Sequence, residues 1–103
     1  MPLSDFNGPS DYMNLHLIQR SPYQNSALAD CLKLCAEQDA ILFMEDGVLG
    51  QSHTLLNDVA NPKFALQDDL NARGLSVADN VTPCSYTEFV ELCTRYKKVI
   101  SWF

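Results

Sequence analysis

Several features that would assign a function are scarce in this 103-residue sequence. No apolar run approaches the roughly 20 residues that a membrane-spanning helix needs. The first residues lack the basic patch and apolar stretch of a secretory signal, which predicts a cytoplasmic protein. Seven Lys and Arg stand against 13 Asp and Glu, a formal net charge of −6. Because nucleic-acid affinity rests largely on Lys and Arg contacts to phosphates, direct binding of DNA or RNA is not expected.

Signatures of metal and nucleotide sites are missing as well. A structural zinc site needs four ligands, usually two closely spaced pairs, and Cys31 and Cys35 have no second pair of matching spacing. Cys84 and Cys93 are nine residues apart, and the two histidines stand alone. The glycines do not form either of the common phosphate-binding loops. We therefore expect neither a metal nor a nucleotide cofactor.

The four cysteines are expected to be free thiols, because a reducing compartment opposes disulfides. On a helical wheel Leu28, Leu32 and Cys35 share one stripe, so Cys35 is predicted to be buried packing. Cys31 falls on the flank of that stripe, which leaves room for partial exposure. The helix dipole favours a Cys31 thiolate and the neighbouring Asp30 opposes it. The residues alone favour packing for Cys31 and leave a reactive thiol open.

Strand and helix patterns alternate along the chain. They predict strands at 14–18, 40–44, 63–66, 80–85 and 97–103, helices at 27–38, 67–74 and 86–96, and a weakly helical stretch at 49–60. This order predicts an α/β fold, a single three-layer α/β/α domain over residues 13–103 with a mostly parallel five-stranded sheet. Residues 1–12, with two Pro, one Gly and no periodicity, are expected to form a flexible extension.

Ligands of such sheets gather outside the carboxyl ends of the strands. The loop 19–26 and the turn 45–47 are the two segments that the predicted topology places there. His16, in the middle of a strand, is expected to have a hydrogen-bonded structural role. His53 lies in a polar stretch and is expected to be solvated, and Tyr23 is expected to serve packing.

Five segments of the chain resemble the TusB/DsrH family over about residues 14–102. The resemblance implies a DsrE/DsrF/DsrH-like fold for the domain 13–103. It also implies assembly with two homologous partners, TusC and TusD or DsrF and DsrE, in a dimer of heterotrimers. The segments are R-S-P at 20–22, E-D-G-V at 45–48, D-L-x-A-R-G-L at 69–75, Y-x-x-F-V-x-L at 86–92 and a terminal S-W at 101–102.

The same resemblance implies a subunit of a persulfide-relay complex for 2-thiolation of the tRNA wobble uridine. The main sulfur-carrying cysteine of such complexes belongs to the TusD/DsrE subunit, so a non-catalytic role is expected here. An alternative is a DsrH-like subunit in dissimilatory sulfur oxidation. DsrH-type members carry a cysteine in the segment matched by "ALADCLKL", which makes Cys31 the candidate sulfur carrier, while Cys35, Cys84 and Cys93 match no family site. A further alternative is a stand-alone module that binds a small ligand at the carboxyl edge of the sheet.

Overall fold

The computed structural model describes residues 13–103, so the predicted extension 1–12 lies outside the described residues. A five-stranded sheet in the order β4-β3-β2-β1-β5 forms its centre, and every neighbouring pair of strands is parallel. Parallel pairing requires a crossover between successive strands, which the helices and loops provide. The strands are β1 (Asn14–Ile18), β2 (Ala40–Phe43), β3 (Lys63–Leu66), β4 (Thr82–Cys84) and β5 (Lys98–Trp102).

Helices cover both faces of the sheet, which confirms the three-layer α/β/α prediction. One apolar cluster includes Leu15, Leu17 and Leu42 of the sheet together with Leu92. A second cluster, on the opposite face, brings the strands against α1, α2 and the short helices. The helices are α1 (Ala27–Leu34), α2 (Gln67–Ala72), α3 (Tyr86–Arg95) and two 3-10 helices, Glu45–Gly50 and Thr54–Leu56.

Local signals explain where two of the helices begin or end. Ser85 and Glu88 form a capping box at the start of α3, in which each side chain accepts a hydrogen bond from the other residue's backbone N–H. Gly74 follows α2 with a φ of +64°, a left-handed conformation that glycine adopts without steric cost. Both features agree with the helix boundaries that the sequence suggests.

Two elements are shorter than predicted. Helix α1 ends at Leu34 rather than at 38, because the Asp39 carboxylate accepts a hydrogen bond from the Ala36 N–H and the chain is already extended at Cys35. Strand β4 is shorter than 80–85, since Asn80 has a φ of +65° and belongs to a turn. The stretch 49–60, predicted to be weakly helical, contains the end of the 3-10 helix Glu45–Gly50 and the whole of the 3-10 helix Thr54–Leu56.

Candidate functional site

Two of the family segments meet where β1 and β2 end, at the carboxyl edge of the sheet. Gly47 lies against the end of β1, and a Cβ on it would stand 1.8 Å from the Ile18 carbonyl oxygen. Only glycine fits this position, because real side chains do not approach a backbone atom so closely. Gly50 packs in the same way on the Pro22 ring, with a Cβ distance of 2.9 Å. The segment Glu45–Gly50 therefore packs against both the end of β1 and the R-S-P loop.

The D-L-x-A-R-G-L segment joins these segments through polar contacts. Arg73 donates to the Asp46 carboxylate oxygen Oδ1 from both Nε, at 3.2 Å, and Nη2, at 2.8 Å. Asp69 accepts a hydrogen bond from the Glu45 N–H at 2.6 Å. Glu45 has a φ of +51°, so this bond holds a backbone conformation that non-glycine residues rarely adopt. Three segments that are distant in sequence thus fix one edge of the sheet.

A shallow depression of about 340 Å³ opens between these segments. Arg20 is exposed there, and among residues 13–103 it has no ion-pair partner. Phe103 is 77 % exposed. The lining has two guanidinium groups, two carboxylates and an aromatic ring but no thiol or hydroxyl nucleophile, so it is suited to recognition rather than covalent chemistry. The lining side chains are those of Gln19, Arg20, Glu45, Asp46, Arg73 and Phe103.

The two cysteines of the α1 region lie away from this depression. Cys31 is packed in the core, the role that the residues alone favour, whereas the burial predicted for Cys35 was wrong. Cys31 is fully buried and Cys35 is only half-buried. The helical-wheel prediction for Cys35 was wrong because α1 ends at Leu34. Cys35 has an extended backbone, so its side chain does not lie where a continued helix would place it. Burial, helped by the neighbouring Cys35 and Asp39, raises the pKa of Cys31 to about 12. Burial is also the main cause that raises the pKa of Cys35.

The other two cysteines belong to the opposite face of the sheet. Cys84 is buried at the end of β4, and desolvation raises its pKa to about 12. Burial likewise raises the pKa of the half-buried Cys93. All four thiols are free, as the sequence predicted. Within residues 13–103 no group of three or more potential ligands is arranged to hold a metal ion.

A buried polar network that the sequence did not reveal crosses the sheet. The His16 Nε2 lies 2.8 Å from the Asp39 Oδ2, and the Trp102 indole Nε1 donates to His16 Nδ1 at 3.0 Å. Since indole N–H is a donor only, Nδ1 is the acceptor and the ring proton sits on Nε2. Burial alone would raise the pKa of Asp39, but hydrogen bonds from His16 and from the Asn14 and Ala36 N–H groups hold that pKa below its ordinary value.

This network confirms the structural role expected for His16, which is 2 % exposed. His53 is not simply solvated, because its Nδ1 accepts a hydrogen bond from the Leu55 N–H and caps a 3-10 helix. Tyr23 is 69 % exposed, and its ring packs on His53 with the centroids 5.1 Å apart.

The sequence of this chain is similar to those of known proteins over most of its length. The model of the family described as "DsrH like protein" matches residues 20–99, a range that contains all three segments of the carboxyl edge. The chain belongs to the DsrH-like family. Protein TusB of Yersinia pestis (strain Pestoides F) is 39% identical over 95 residues, covering 85% of this chain and 99% of that protein. Protein TusB of Yersinia pseudotuberculosis serotype O:1b has the same identity and coverage.

Solved structures share the fold of this DsrH-like chain. The crystal structure of the ychN protein from E. coli superposes with a TM-score of 0.67 at 16% identity, covering 86% of this chain and 98% of that chain. The solution structure of protein Tm0979 from Thermotoga maritima gives a TM-score of 0.61 at 27% identity, covering 80% and 92%. Among the helices of residues 13–103, none has the length and apolar character needed to cross a membrane.

Proposed function

We propose that this chain is the TusB-like subunit of a cytoplasmic sulfur-relay complex that serves 2-thiolation of the tRNA wobble uridine. Membership of the DsrH-like family and the likeness to TusB proteins support the sulfur-relay role. The likeness to TusB proteins, which match this chain over 99% of their own length, supports the choice of the tRNA pathway. In this proposal the partners are one TusC/DsrF-like and one TusD/DsrE-like subunit, arranged as a dimer of heterotrimers.

The state of the thiols carries the proposal that this subunit is not the sulfur carrier. A persulfide carrier works through a thiolate, which requires an accessible thiol of ordinary or lowered pKa. Burial raises the pKa of each of the four cysteines here, most strongly for Cys31 and Cys84. The carboxyl-edge depression contains no cysteine, and Cys35, which lines a separate depression of about 470 Å³, has a pKa that burial raises. In this proposal the chain binds the other subunits of the complex, and a partner subunit provides the cysteine that carries the sulfur.

Exposed apolar side chains support a role within an assembly. Tyr86 and Val90 lie one helical turn apart on α3 and are 61 % and 47 % exposed. Val99 is in register with Leu15 and therefore shares the sheet face that α3 covers, yet it is 40 % exposed. Apolar surface left open on a small domain is typical of subunits that bury it against a partner.

Co-expression with a TusC-like and a TusD-like protein from one genome tests the proposal. An affinity tag on the TusD-like subunit is expected to recover this chain in stoichiometric amount, and native mass spectrometry is expected to give the mass of two copies of each subunit. A chain that remains monomeric beside both partners would overturn the proposal and favour a stand-alone binding module.

The competing role for Cys31, as a sulfur carrier in sulfur oxidation, is tested in the same complex. After incubation with a cysteine desulfurase and free cysteine, peptide mass spectrometry locates each added sulfur. We expect the added sulfur on the TusD-like subunit and none on Cys31. Sulfur on Cys31 that disappears in Cys31→Ser but persists in Cys35→Ser would instead make this chain a carrier.

A further inference from the structure

A larger cavity lies at the opposite edge of the sheet, where β3 and β4 begin. Its volume is about 630 Å³, and its walls come from residues between 51 and 64 and between 78 and 82. Small-molecule sites in proteins commonly have volumes of about 300–1,000 Å³. We call this cavity the amino-edge cleft. Polar side chains in its lining include His53, Asn57, Lys63, Asp79, Asn80 and Thr82.

Lys63 is the unusual member of this lining, since it is a lysine that is only 9 % exposed. Its ammonium group has three protons to donate. The carbonyl oxygen of Val59 accepts one, and that of Asn61 accepts another at 3.2 Å. One donor therefore remains for another acceptor.

The charge of Lys63 has no counter-ion in the described part of the chain. No carboxylate of residues 13–103 lies within ion-pairing distance of its Nζ. Neutral carbonyls do not balance a positive charge, and a buried charge without a partner is costly. Consistent with this, burial lowers the pKa of Lys63. An anion bound in the amino-edge cleft would supply the missing negative charge.

His53 adds a hydrogen-bond donor to the lining of the same cleft. Because its Nδ1 accepts a hydrogen bond from the Leu55 N–H at 3.0 Å, the ring proton of the neutral imidazole is on Nε2. The contact with Tyr23 further fixes the plane of the ring. The side-chain amides of Asn57 and Asn80 and the Thr82 hydroxyl also line the cleft. Together these groups provide the donors that an oxyanion requires.

Asp79 is the acidic member of the lining and opposes an anion. It is exposed, so water and salt screen its charge, whereas the buried Lys63 is screened much less. The local balance therefore favours a small anion at Lys63 despite the net negative charge of the chain.

We propose that the amino-edge cleft is a binding site for a small-molecule oxyanion, a carboxylate or a phosphate, which pairs with Lys63 and accepts a hydrogen bond from His53. The site lies at the other end of the strands from the carboxyl-edge depression. It does not depend on the sulfur-relay role, and it contains no nucleophile that this role would use.

Titration of the full chain with sodium phosphate and, separately, with sodium acetate tests the proposal by ¹H–¹⁵N NMR at constant ionic strength. Saturable shifts are expected at the amides of residues 53–63 and 78–82, with a dissociation constant on the order of 1 mM for the preferred anion. The arm with the tighter binding distinguishes a phosphate site from a carboxylate site. Chemical-shift changes in the wild-type protein that never saturate, or that are spread over the whole surface, would overturn the proposal.

Matched variants then assign the binding to this cleft. Lys63→Met keeps the length of the side chain and removes its charge, so affinity should fall about tenfold or more. Lys98→Met removes an exposed lysine of β5 and should leave affinity unchanged. Thr82→Val is a milder, nearly isosteric change in the cleft, expected to weaken binding about threefold, and it provides a second readout if Lys63→Met does not fold. Wild-type affinity in both cleft variants would refute the assignment.

Discussion

The indole Nε1 of Trp102 donates a hydrogen bond to Nδ1 of His16 across 3.0 Å, although 86 positions separate the two residues in sequence. The bond links the last strand of the sheet to its neighbour β1, and His16 extends it to Asp39 just before β2. Three strands of one edge are thus joined by side chains as well as by the backbone ladder.

We expect Trp102→Phe to destabilise the protein by about 1–2 kcal/mol, because the buried His16 Nδ1 loses its donor while most of the ring packing is kept. Urea unfolding measures the change. Phe103→Ala removes a neighbouring aromatic ring that is 77 % exposed, and it should leave the free energy of unfolding nearly unchanged. Equal effects of the two substitutions would show that the hydrogen bond contributes nothing specific.

A methyl group should destabilise the protein at Gly47 through a steric clash and at Gly74 through an unfavourable backbone conformation. Gly74 has open space around its Cβ position but a φ of +64°, so Gly74→Ala should cost about 1–2 kcal/mol of unfolding free energy. Gly47→Ala would place the methyl carbon 1.8 Å from the Ile18 oxygen, which forces backbone movement and should cost about 3 kcal/mol or more. Thermal and urea unfolding of both variants measure this order. A Gly47→Ala protein as stable as Gly74→Ala would contradict the close approach of β1 and the turn 45–47.

The Asp39 network should make stability depend on acidity. The pKa of Asp39 in the folded protein is lower than its ordinary value of 3.8, so the unfolded chain binds a proton first as the pH falls. The stabilisation is therefore complete well above pH 3.8, and it is lost as the pH falls through 3.8 toward the pKa of the folded state. At pH 7 we expect Asp39→Asn to be about 2 kcal/mol less stable than the wild type.

Urea unfolding between pH 7 and pH 3 should show this difference shrinking as the pH decreases. Asp68→Asn, at an exposed position in the first turn of α2, is the matched control and should run parallel to the wild type. A constant gap between Asp39→Asn and the wild type would mean that the carboxylate charge is not what stabilises the fold.

The four thiols should differ in their rate of alkylation in the native protein. At pH 8 a thiol with a pKa of about 12 is a thiolate in only about one molecule in ten thousand, and Cys31 and Cys84 are also buried. Iodoacetamide should therefore modify the half-buried Cys35 and Cys93 first, as peptide mass spectrometry at several times would show. In urea the four rates should become similar. Early modification of Cys31 in the native protein would show that α1 moves away from the sheet and exposes this thiol, and it would support Cys31 as a sulfur carrier.

Much of the fold was predictable because it depends on local patterns. Strands β1, β2 and β3 were predicted within one residue of their ends, since β1 alternates apolar and polar residues and β2 and β3 are short, largely apolar segments. The exposure of Cys35 was not, because it depends on where α1 ends, and a side chain outside the helix, Asp39, influences that end.

The candidate sites were predictable to a smaller degree. The carboxyl edge follows from the topology of a parallel sheet, and the structure places the R-S-P and E-D-G-V segments there. The contact between Trp102 and His16 joins distant parts of the chain and leaves no local pattern. Lys63 reads as an ordinary polar residue at the start of a strand, and only the fold reveals that its ammonium group is buried without a carboxylate partner.

The position of β5 has a consequence for synthesis on the ribosome. Among the strands of residues 13–103, β5 is made last, yet its partner is β1, the strand made first. While residues 98–102 are still inside the exit tunnel, the nascent sheet can contain β4, β3, β2 and β1, but one edge of β1 has no partner and His16 has no donor from Trp102. Unpaired edges of this kind are prone to wrong pairing and are recognised by chaperones. Emergence of β5 from the exit tunnel is therefore the step that completes the five-stranded sheet.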